Sequence, residues 1–165
     1  LDSRPAPAVA VDLALQIKSP AGAGEIRFAL VAEFLRRLKD ERGFRFTVSY
    51  DGWQSIGEIQ RLRDMGFRAG VLSVDRSTAP ADLTKDLLYS GRLRYYNNMV
   101  FLREAEELVL TKAGKVDHPE RSRRRDIEEG DPRGSKDVWD AVAACCHALA
   151  GGWEPDSTKP RAVIL

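Results

Sequence analysis

Segments typical of strands and of helices alternate along this chain, and this alternation constrains its fold more than any other feature. Residues 44–50 (FRFTVSY) and 67–74 predict strands, and the apolar spacing of residues 55–65 predicts a helix between them. Further helices are predicted over residues 25–42 and 80–90. This order is typical of an α/β fold with parallel strands, in which ligands bind beyond the carboxyl ends of the strands.

The two flanking regions predict further elements. Residues 8–17 (AVAVDLALQI) alternate in hydrophobicity and predict a strand, which Asp12 interrupts. After residue 90 the chain predicts a short strand, a helix, a turn and a polar loop, over residues 92–96, 99–108, 111–116 and 117–134.

The last predicted helix lies in the segment GSKDVWDAVAACCHALAGG, residues 134–152, with Ser135 as its N-cap. Asp137 and Asp140 stand near its start. Because they are three positions apart, both side chains project from one face of the helix. A helix whose body is small and apolar thus carries two acids at its front end.

A stripe of apolar side chains next to that acidic face predicts burial; it consists of Val138, Val142, Cys145 and Leu149. The adjacent thiols of Cys145 and Cys146 predict reduced core residues. They do not predict a zinc site, because no other residue near them has the spacing of a zinc ligand.

The acids predict a metal site. Asp51 directly follows the strand at residues 44–50 and so lies at its carboxyl end. If the last helix packs beside that end, Asp51, Asp137 and Asp140 converge, and carboxylates that close together need a neutralising cation. Hard oxygen ligands select Mg²⁺ or Mn²⁺, and two such ions about 4 Å apart can stabilise the attacking and leaving oxygens of a phosphodiester.

Structural roles stay open for two of these acids. Asp51 precedes Gly52, and an aspartate before a glycine is common in turns. Asp137 lies in the first turn of a helix, where a negative charge interacts favourably with the helix dipole.

Composition limits the classes of protein to which the chain can belong. It has 165 residues, 43% of them hydrophobic, and a formal net charge of +1. We therefore expect one domain over residues 1–152 and a tail over residues 153–165, with any polyanion site formed by local clustering of charge. The sequence contains no apolar run of about 18 residues that would predict a transmembrane helix, and no pattern of a signal peptide. It also contains no G-x-x-x-x-G-K-[ST] segment, the motif that would predict an ATPase.

Five segments, in this order, resemble the C-terminal nuclease domain of the large terminase subunit of tailed phages. Terminases are the motors that package phage DNA. The segments are VSYDGWQS, GFRAGVLSVDRSTAP, LLYSGRLRYY, GKVDHP and GSKDVWDAV, and the resemblance spans residues 8–149. It implies an RNase H-like α/β fold, with a mixed sheet flanked by helices. It also implies that two Mg²⁺ or Mn²⁺ ions, held by acids, support the cutting of concatemeric viral DNA.

Position by position, the resemblance implies that Asp51, Asp137 and Asp140 are the catalytic acids and the metal ligands. Gln54 and Ser55 match the polar pair that follows the central acid. The resemblance implies that this pair either has a structural role or faces DNA, with Gln54 as the candidate contact to DNA. His118 matches a family position near the site, although a loop histidine before a proline is an equally good interpretation.

An arginine cluster before the last helix forms part of an insertion relative to the family. Its members are Arg121, Arg123, Arg124 and Arg125. Such a cluster is typical of phosphate contacts, but it also fits a solvated loop whose charge is balanced by the acids that follow. The resemblance further implies double-stranded viral DNA as substrate, a portal protein and the small terminase subunit as possible partners, and the host cytoplasm as location, with no membrane.

One family feature has no certain counterpart. The family's first catalytic acid lies on the opening strand of a three-strand meander, and Asp12 is the only acid on an early strand here. Residues 8–17 resemble the family's third strand better, in which case Asp12 is not catalytic and the first acid lies outside this chain. Two alternatives follow: another RNase H-like nuclease, such as a junction resolvase, and a catalytically silent fragment that docks onto a portal protein or another motor part.

Overall fold

The fold is mixed α/β, as the alternation predicts. A computed structural model describes residues 7–18, 25–52, 55–119 and 135–151, with Trp153 and Pro155. Its helices are α1 (Phe28–Asp40), α2 (Ile56–Asp64), α3 (Ala79–Tyr89), α4 (Met99–Glu107) and α5 (Asp137–Gly151). Its strands are β1 (Val9–Val11), β2 (Thr47–Tyr50), β3 (Arg68–Val71), β4 (Leu93–Tyr95), β5 (Val109–Leu110) and β6 (Val116–Asp117).

The chain divides into two compact units. The first unit consists of Leu1–Gln16 and Val74–Trp153, and the second consists of Ile17–Ser73 and Glu154–Leu165. Asp137 and Asp140 therefore belong to the first unit, whereas Asp51 belongs to the second.

The second unit contains the predicted strand–helix–strand segment. Strands β2 and β3 pair in parallel, with Thr47 opposite Arg68 and Tyr50 opposite Val71. Helix α2 connects them and ends before Gly66, whose φ of 76° is a left-handed conformation that glycine adopts without strain. The buried side chains of this unit's core come from α1, α2, β3 and the residue before β3; they are Ala32, Ile59, Leu62, Phe67 and Ala69.

Helix α1 buries less of its apolar face than its sequence predicts. Ala32 is buried, but Leu30 and Phe34 are 63% and 40% exposed. Together with Ile17 and Ile26 they line an open groove.

In the first unit, β1 and β4 pair in parallel, with Val9 opposite Leu93. Helix α4 begins at Met99 because the side chain of Asn98 accepts hydrogen bonds from two backbone N–H groups of the first turn. The predicted turn at residues 111–116 joins β5 to β6, which pair in antiparallel orientation. The core of this unit is formed by Val9, Leu87, Leu93, Phe101, Val138, Trp139, Val142, Ala143 and Cys146.

Two predicted burials on α5 are wrong. Cys145 is exposed and Leu149 is 71% exposed, whereas Trp139 and Cys146 are buried. The buried stripe is rotated toward Trp139, whose ring stacks on Phe101 with the centroids 5.7 Å apart. The largest apolar side chain of the helix therefore determines which face packs into the core.

The predicted first strand is shorter than its hydrophobic pattern suggests. Only Val9–Val11 forms a strand, and Asp12 follows its carboxyl end. The apolar side chains beyond it, Leu13 and Leu15, are 53% and 60% exposed. The segment after β1 is held instead by Tyr96, the residue that follows β4. The Tyr96 hydroxyl lies 2.9 Å from both the backbone nitrogen and the carbonyl oxygen of Ala14.

Candidate functional site

The acids of the last helix lie where the sequence places them. Asp137 is the first residue of α5, and Asp140 follows one turn later, its backbone N–H bonded to the carbonyl oxygen of Lys136. Asp137 is exposed and Asp140 is half-buried. The two carboxylates therefore share a face of the helix but differ in their access to solvent.

A buried lysine holds one of these acids. Lys136 is only 9% exposed, and its Nζ lies 2.6 Å from Asp140 Oδ2 and 2.9 Å from Asp75 Oδ1. Asp75 lies in a short 3₁₀ helix, Val74–Arg76, that precedes α3. Two carboxylates thus accept hydrogen bonds from one ammonium, and Asp137 is the next residue along the chain. We call Asp75, Lys136, Asp137 and Asp140 the Lys136 cluster.

The charges of this cluster depend on one another. Burial alone would lower the pKa of Lys136, but hydrogen bonds to Asp140 and Asp75 outweigh it and raise that pKa, so the ammonium persists at neutral pH. Burial raises the pKa of Asp140, and the hydrogen bond from Lys136 opposes this rise. The neighbouring charges of Asp75 and Asp137 raise it further. When all four groups are ionised, the cluster keeps two negative charges in excess.

A buried glutamate from another helix caps the start of α5. Glu104 on α4 is 6% exposed, and its Oε2 accepts a hydrogen bond of 2.7 Å from the backbone N–H of Trp139. Its Oε1 lies 3.0 Å from the hydroxyl of Ser135. Because the first N–H groups of a helix have no partner within the helix, this carboxylate satisfies them and complements the helix dipole.

The environment of Glu104 opposes its own ionisation. Burial raises its pKa, hydrogen bonds from Trp139 and Ser135 lower it, and the charge of Asp137 raises it again. The net shift is upward. Ser135, predicted as the N-cap, accepts only a long contact of 3.4 Å from the N–H of Asp137, so most of the capping comes from Glu104.

Asp51 lies at the carboxyl end of β2, as predicted. It is exposed, and its Oδ1 accepts a hydrogen bond of 2.6 Å from the N–H of Gly52, the next residue in the turn. A ligand role needs only the outer lone pairs of this carboxylate, so the turn contact and the ligand role are compatible. That Asp51 and the two acids of α5 bind the same ions stays a prediction.

The start of α2, just after Asp51, has unsatisfied polar atoms. Ser55 is 5% exposed and makes no cap hydrogen bond. Its Oγ and the Oε2 of Glu58 are buried and lack a hydrogen-bond partner among the described residues. The sequence S-x-x-E at this point is typical of a capping box, but the reciprocal bonds of that motif are not formed.

The remaining predicted site residues divide into two groups. His118 is described, and its contacts are local: its N–H donates to Asp117 Oδ1 at 2.8 Å, and its Nδ1 lies 3.0 Å from the carbonyl oxygen of Pro119. The other predicted DNA contacts, Gln54, Arg121, Arg123, Arg124 and Arg125, lie outside the described residues.

The Lys136 cluster contains carboxylate oxygens, the donor type that a hard divalent cation prefers. Two of its three carboxylates, Asp75 and Asp140, already pair with the ammonium of Lys136. Within the described part of the chain, no three His, Cys, Asp or Glu side chains are grouped closely enough to hold a metal ion. A metal at Asp137 and Asp140 would therefore need a further ligand.

Three residues of this site were missed by sequence reasoning. The pairing of Lys136 with Asp140 could have been found, because the residues are four positions apart on one helix. Asp75 and Glu104 could not, because they lie 61 and 35 positions from their partners and neither carries a local signal of burial.

Comparisons with known proteins add no further constraint on these residues. None of the described helices is long and apolar enough to cross a membrane. Comparison of the chain with protein-family models, with curated proteins and with solved structures found no match.

Proposed function

We propose that this chain is a metal-dependent DNA endonuclease domain with an RNase H-like fold, of the kind found in the large terminase subunit of tailed phages. The observation that carries the proposal is the excess of carboxylate charge at the start of α5, where Asp137, Asp140 and Asp75 outnumber the single ammonium of Lys136. Asp140 is half-buried, so a cation beside it would lower the repulsion that the neighbouring carboxylates exert on it.

Asp51, Asp137 and Asp140 are the ligands that would hold one or two Mg²⁺ or Mn²⁺ ions. Bound there, the ions would lower the pKa of water and stabilise the charge that develops on the phosphodiester oxygens. The carboxylate of Asp137 is exposed and holds only a contact of 3.2 Å from the Ser135 hydroxyl, which leaves it accessible to a ligand. The cap from Glu104 fixes the helix on which it stands.

The substrate we propose is double-stranded viral DNA, bound mainly through its phosphates. The arginines at positions 121 and 123–125 supply four positive charges within five residues, and such clusters bind DNA with little sequence preference. The setting is a packaging complex in the host cytoplasm, with the portal protein and the small terminase subunit as partners.

The test is incubation of the full chain with supercoiled plasmid and Mn²⁺. We expect nicking that requires the metal and that Asp51→Asn reduces by roughly a hundredfold or more, because the variant loses a metal ligand without losing its fold. Asp64→Asn is the matched control, since Asp64 is an exposed acid of the same unit at the end of α2. Nicking at wild-type rates by Asp51→Asn would contradict the proposed site.

A catalytically silent docking module is the second candidate. The observation that favours it is the pairing of Asp140 with Lys136, which already neutralises one of the proposed ligands. A folded chain that neither nicks plasmid nor binds Mn²⁺ would support this candidate over the nuclease. A chain that cuts branched DNA and leaves linear DNA intact would instead indicate a junction resolvase.

A further inference from the structure

The hydroxyl of Ser55 is a buried polar group that the proposed metal ligands leave without a role. Ser55 directly precedes α2 and is 5% exposed, and its Oγ has no hydrogen-bond partner among the described residues. A buried polar atom without a partner destabilises a folded protein, and a bound ion that the atom contacts is one common explanation. The groups next to this hydroxyl indicate which ion it can bind.

The first backbone N–H groups of α2 belong to exposed residues next to Ser55. The N–H of Ile59 donates to the carbonyl oxygen of Ser55, but Ile56 and Gly57 come earlier and have no acceptor within the helix. Both residues are exposed, and no described side chain caps the helix. The N–H groups at a helix start carry the positive end of the helix dipole and bind anions, phosphate in particular.

Gly57 leaves space for an anion at this end of the helix. A Cβ atom at this position would lie within 4 Å of no described atom. The φ angle of Gly57 is not left-handed, so the backbone here does not require a glycine. Because the side chains of a helix tilt toward its N-terminus, a methyl group at Gly57 would occupy the space in front of the free N–H groups.

We propose that the hydroxyl of Ser55 and the N–H groups of Ile56 and Gly57 bind a phosphate group of the DNA. The inference rests on the proposed function for the source of the phosphate, whereas the site itself does not depend on catalysis. Asp51 lies four positions before Ser55, so the two Cα atoms are at most about 14 Å apart. One strand of DNA advances about 14 Å in four nucleotides. The bound phosphate therefore lies within a few nucleotides of the one next to the proposed ions.

Two acids lie close to this site in sequence, and the charge of each is weakened. The carboxylate of Glu58 lies 3.5 Å from the guanidinium of Arg61. Asp51 is exposed, so dissolved salt screens its charge. Neither acid therefore prevents a phosphate from binding at the helix start.

Amide signals in ¹H–¹⁵N NMR spectra of the full chain test the site, with inorganic phosphate and short duplex DNA as probes. Divalent ions are left out so that the DNA is not cut. We expect both probes to shift the signals of Ile56 and Gly57. Ser55→Ala should bind both probes about tenfold more weakly, because it loses a hydrogen bond to a charged group. Gly57→Ala should weaken binding as well, through its added methyl group.

Thermal stability separates a binding role from a structural one. Ser55→Ala removes an unpaired hydroxyl and Gly57→Ala introduces a better helix former, so neither should lower the midpoint of thermal unfolding. Thr78→Ala is the matched control, because Thr78 precedes α3 and its side chain makes no cap hydrogen bond either. This control should bind both probes as the wild type does. Lower midpoints together with weaker binding in the other two variants would overturn the inference.

The outcomes also separate the inference from the proposed function. If the wild type binds DNA and both variants bind it equally well, the inference is overturned and the nuclease proposal is unaffected. If only inorganic phosphate shifts the two amide signals, the phosphate site stands, but DNA is not its ligand and the nuclease proposal loses its substrate. If neither probe shifts them, the inference is overturned.

Discussion

The N-termini of two helices in this protein have similar sequences but different hydrogen-bond partners. Ser55 directly precedes helix α2 of the second unit, and Ser135 lies two positions before helix α5 of the first. Both helices carry an acid in the first turn. At α5, the hydroxyl of Ser135 contacts Glu104, and Glu104 also accepts the N–H of Trp139. At α2, the hydroxyl of Ser55 is buried and lacks a partner among the described residues.

The difference shows that the local sequence does not determine which hydrogen-bond partners the polar groups at the start of a helix find. A serine before a helix predicts an N-cap, yet at α5 the main acceptor comes from α4, 35 positions away from its donor. At α2, no residue of the described chain plays that part, although the sequence has the capping-box pattern. Tertiary packing therefore decides which polar groups are paired.

Of the substitutions that test this comparison, removal of the Glu104 cap should change the free energy of unfolding most. Glu104→Ala leaves the N–H of Trp139 buried without an acceptor, which we expect to lower the free energy of unfolding by about 2 kcal/mol. Glu104→Gln keeps one carbonyl acceptor and should cost less than about 1 kcal/mol. Urea denaturation of both variants measures these changes. Equal losses in the two would show that the carboxylate charge, rather than the hydrogen bond, stabilises α5.

The same residue gives the protein a pH dependence of known sign. Its pKa in the folded state lies above the ordinary glutamate value of 4.5, with burial as the main cause. Stability from this group is therefore fully present below that value and is lost as the pH rises through the raised pKa. Relative to Glu104→Gln, the wild type should lose stability as the pH rises from about 4.5 through the raised pKa of Glu104. A constant difference between the two across that range would contradict the burial of this carboxylate.

The smallest effect is the sharpest test of the comparison, because one substitution is made at both helix starts. Ser135→Ala removes a hydrogen bond to Glu104 and should lower the free energy of unfolding by about 1 kcal/mol. Ser55→Ala removes a buried, unpaired hydroxyl and should cause no loss, with a gain of up to about 1 kcal/mol. Thermal unfolding of the pair provides the measurement. Losses of equal size would mean that Ser55 has a partner after all.

Much of the helix pattern could be predicted from the sequence, because helix periodicity and glycine stops are local signals. Helix α2 is found within one residue of its prediction, and the acids of α5 lie on one face as expected. The first strand could not be placed from alternation alone, since Leu13 and Leu15 have the pattern of a strand but remain exposed.

The sequence predicted the acids of the candidate site, but it did not predict the residues that contact them. Asp137 and Asp140 carry a local signal, namely their spacing at a helix start. Asp75 and Glu104 become site residues only through packing of the 3₁₀ helix and α4 against α5, which no local pattern encodes. The burial of Trp139 likewise depends on its stacking with Phe101 rather than on the apolar stripe of the helix.

The central proposal is that Asp51 and Asp137 bind the same metal ions. A double-mutant cycle tests it directly: Mn²⁺ affinity is measured for the wild type, Asp51→Asn, Asp137→Asn and the double variant. If the two acids share ions, each single variant loses the tight binding and the double variant loses little more, so the effects are not additive. Additive losses, or a normal affinity in either single variant, would contradict a shared site.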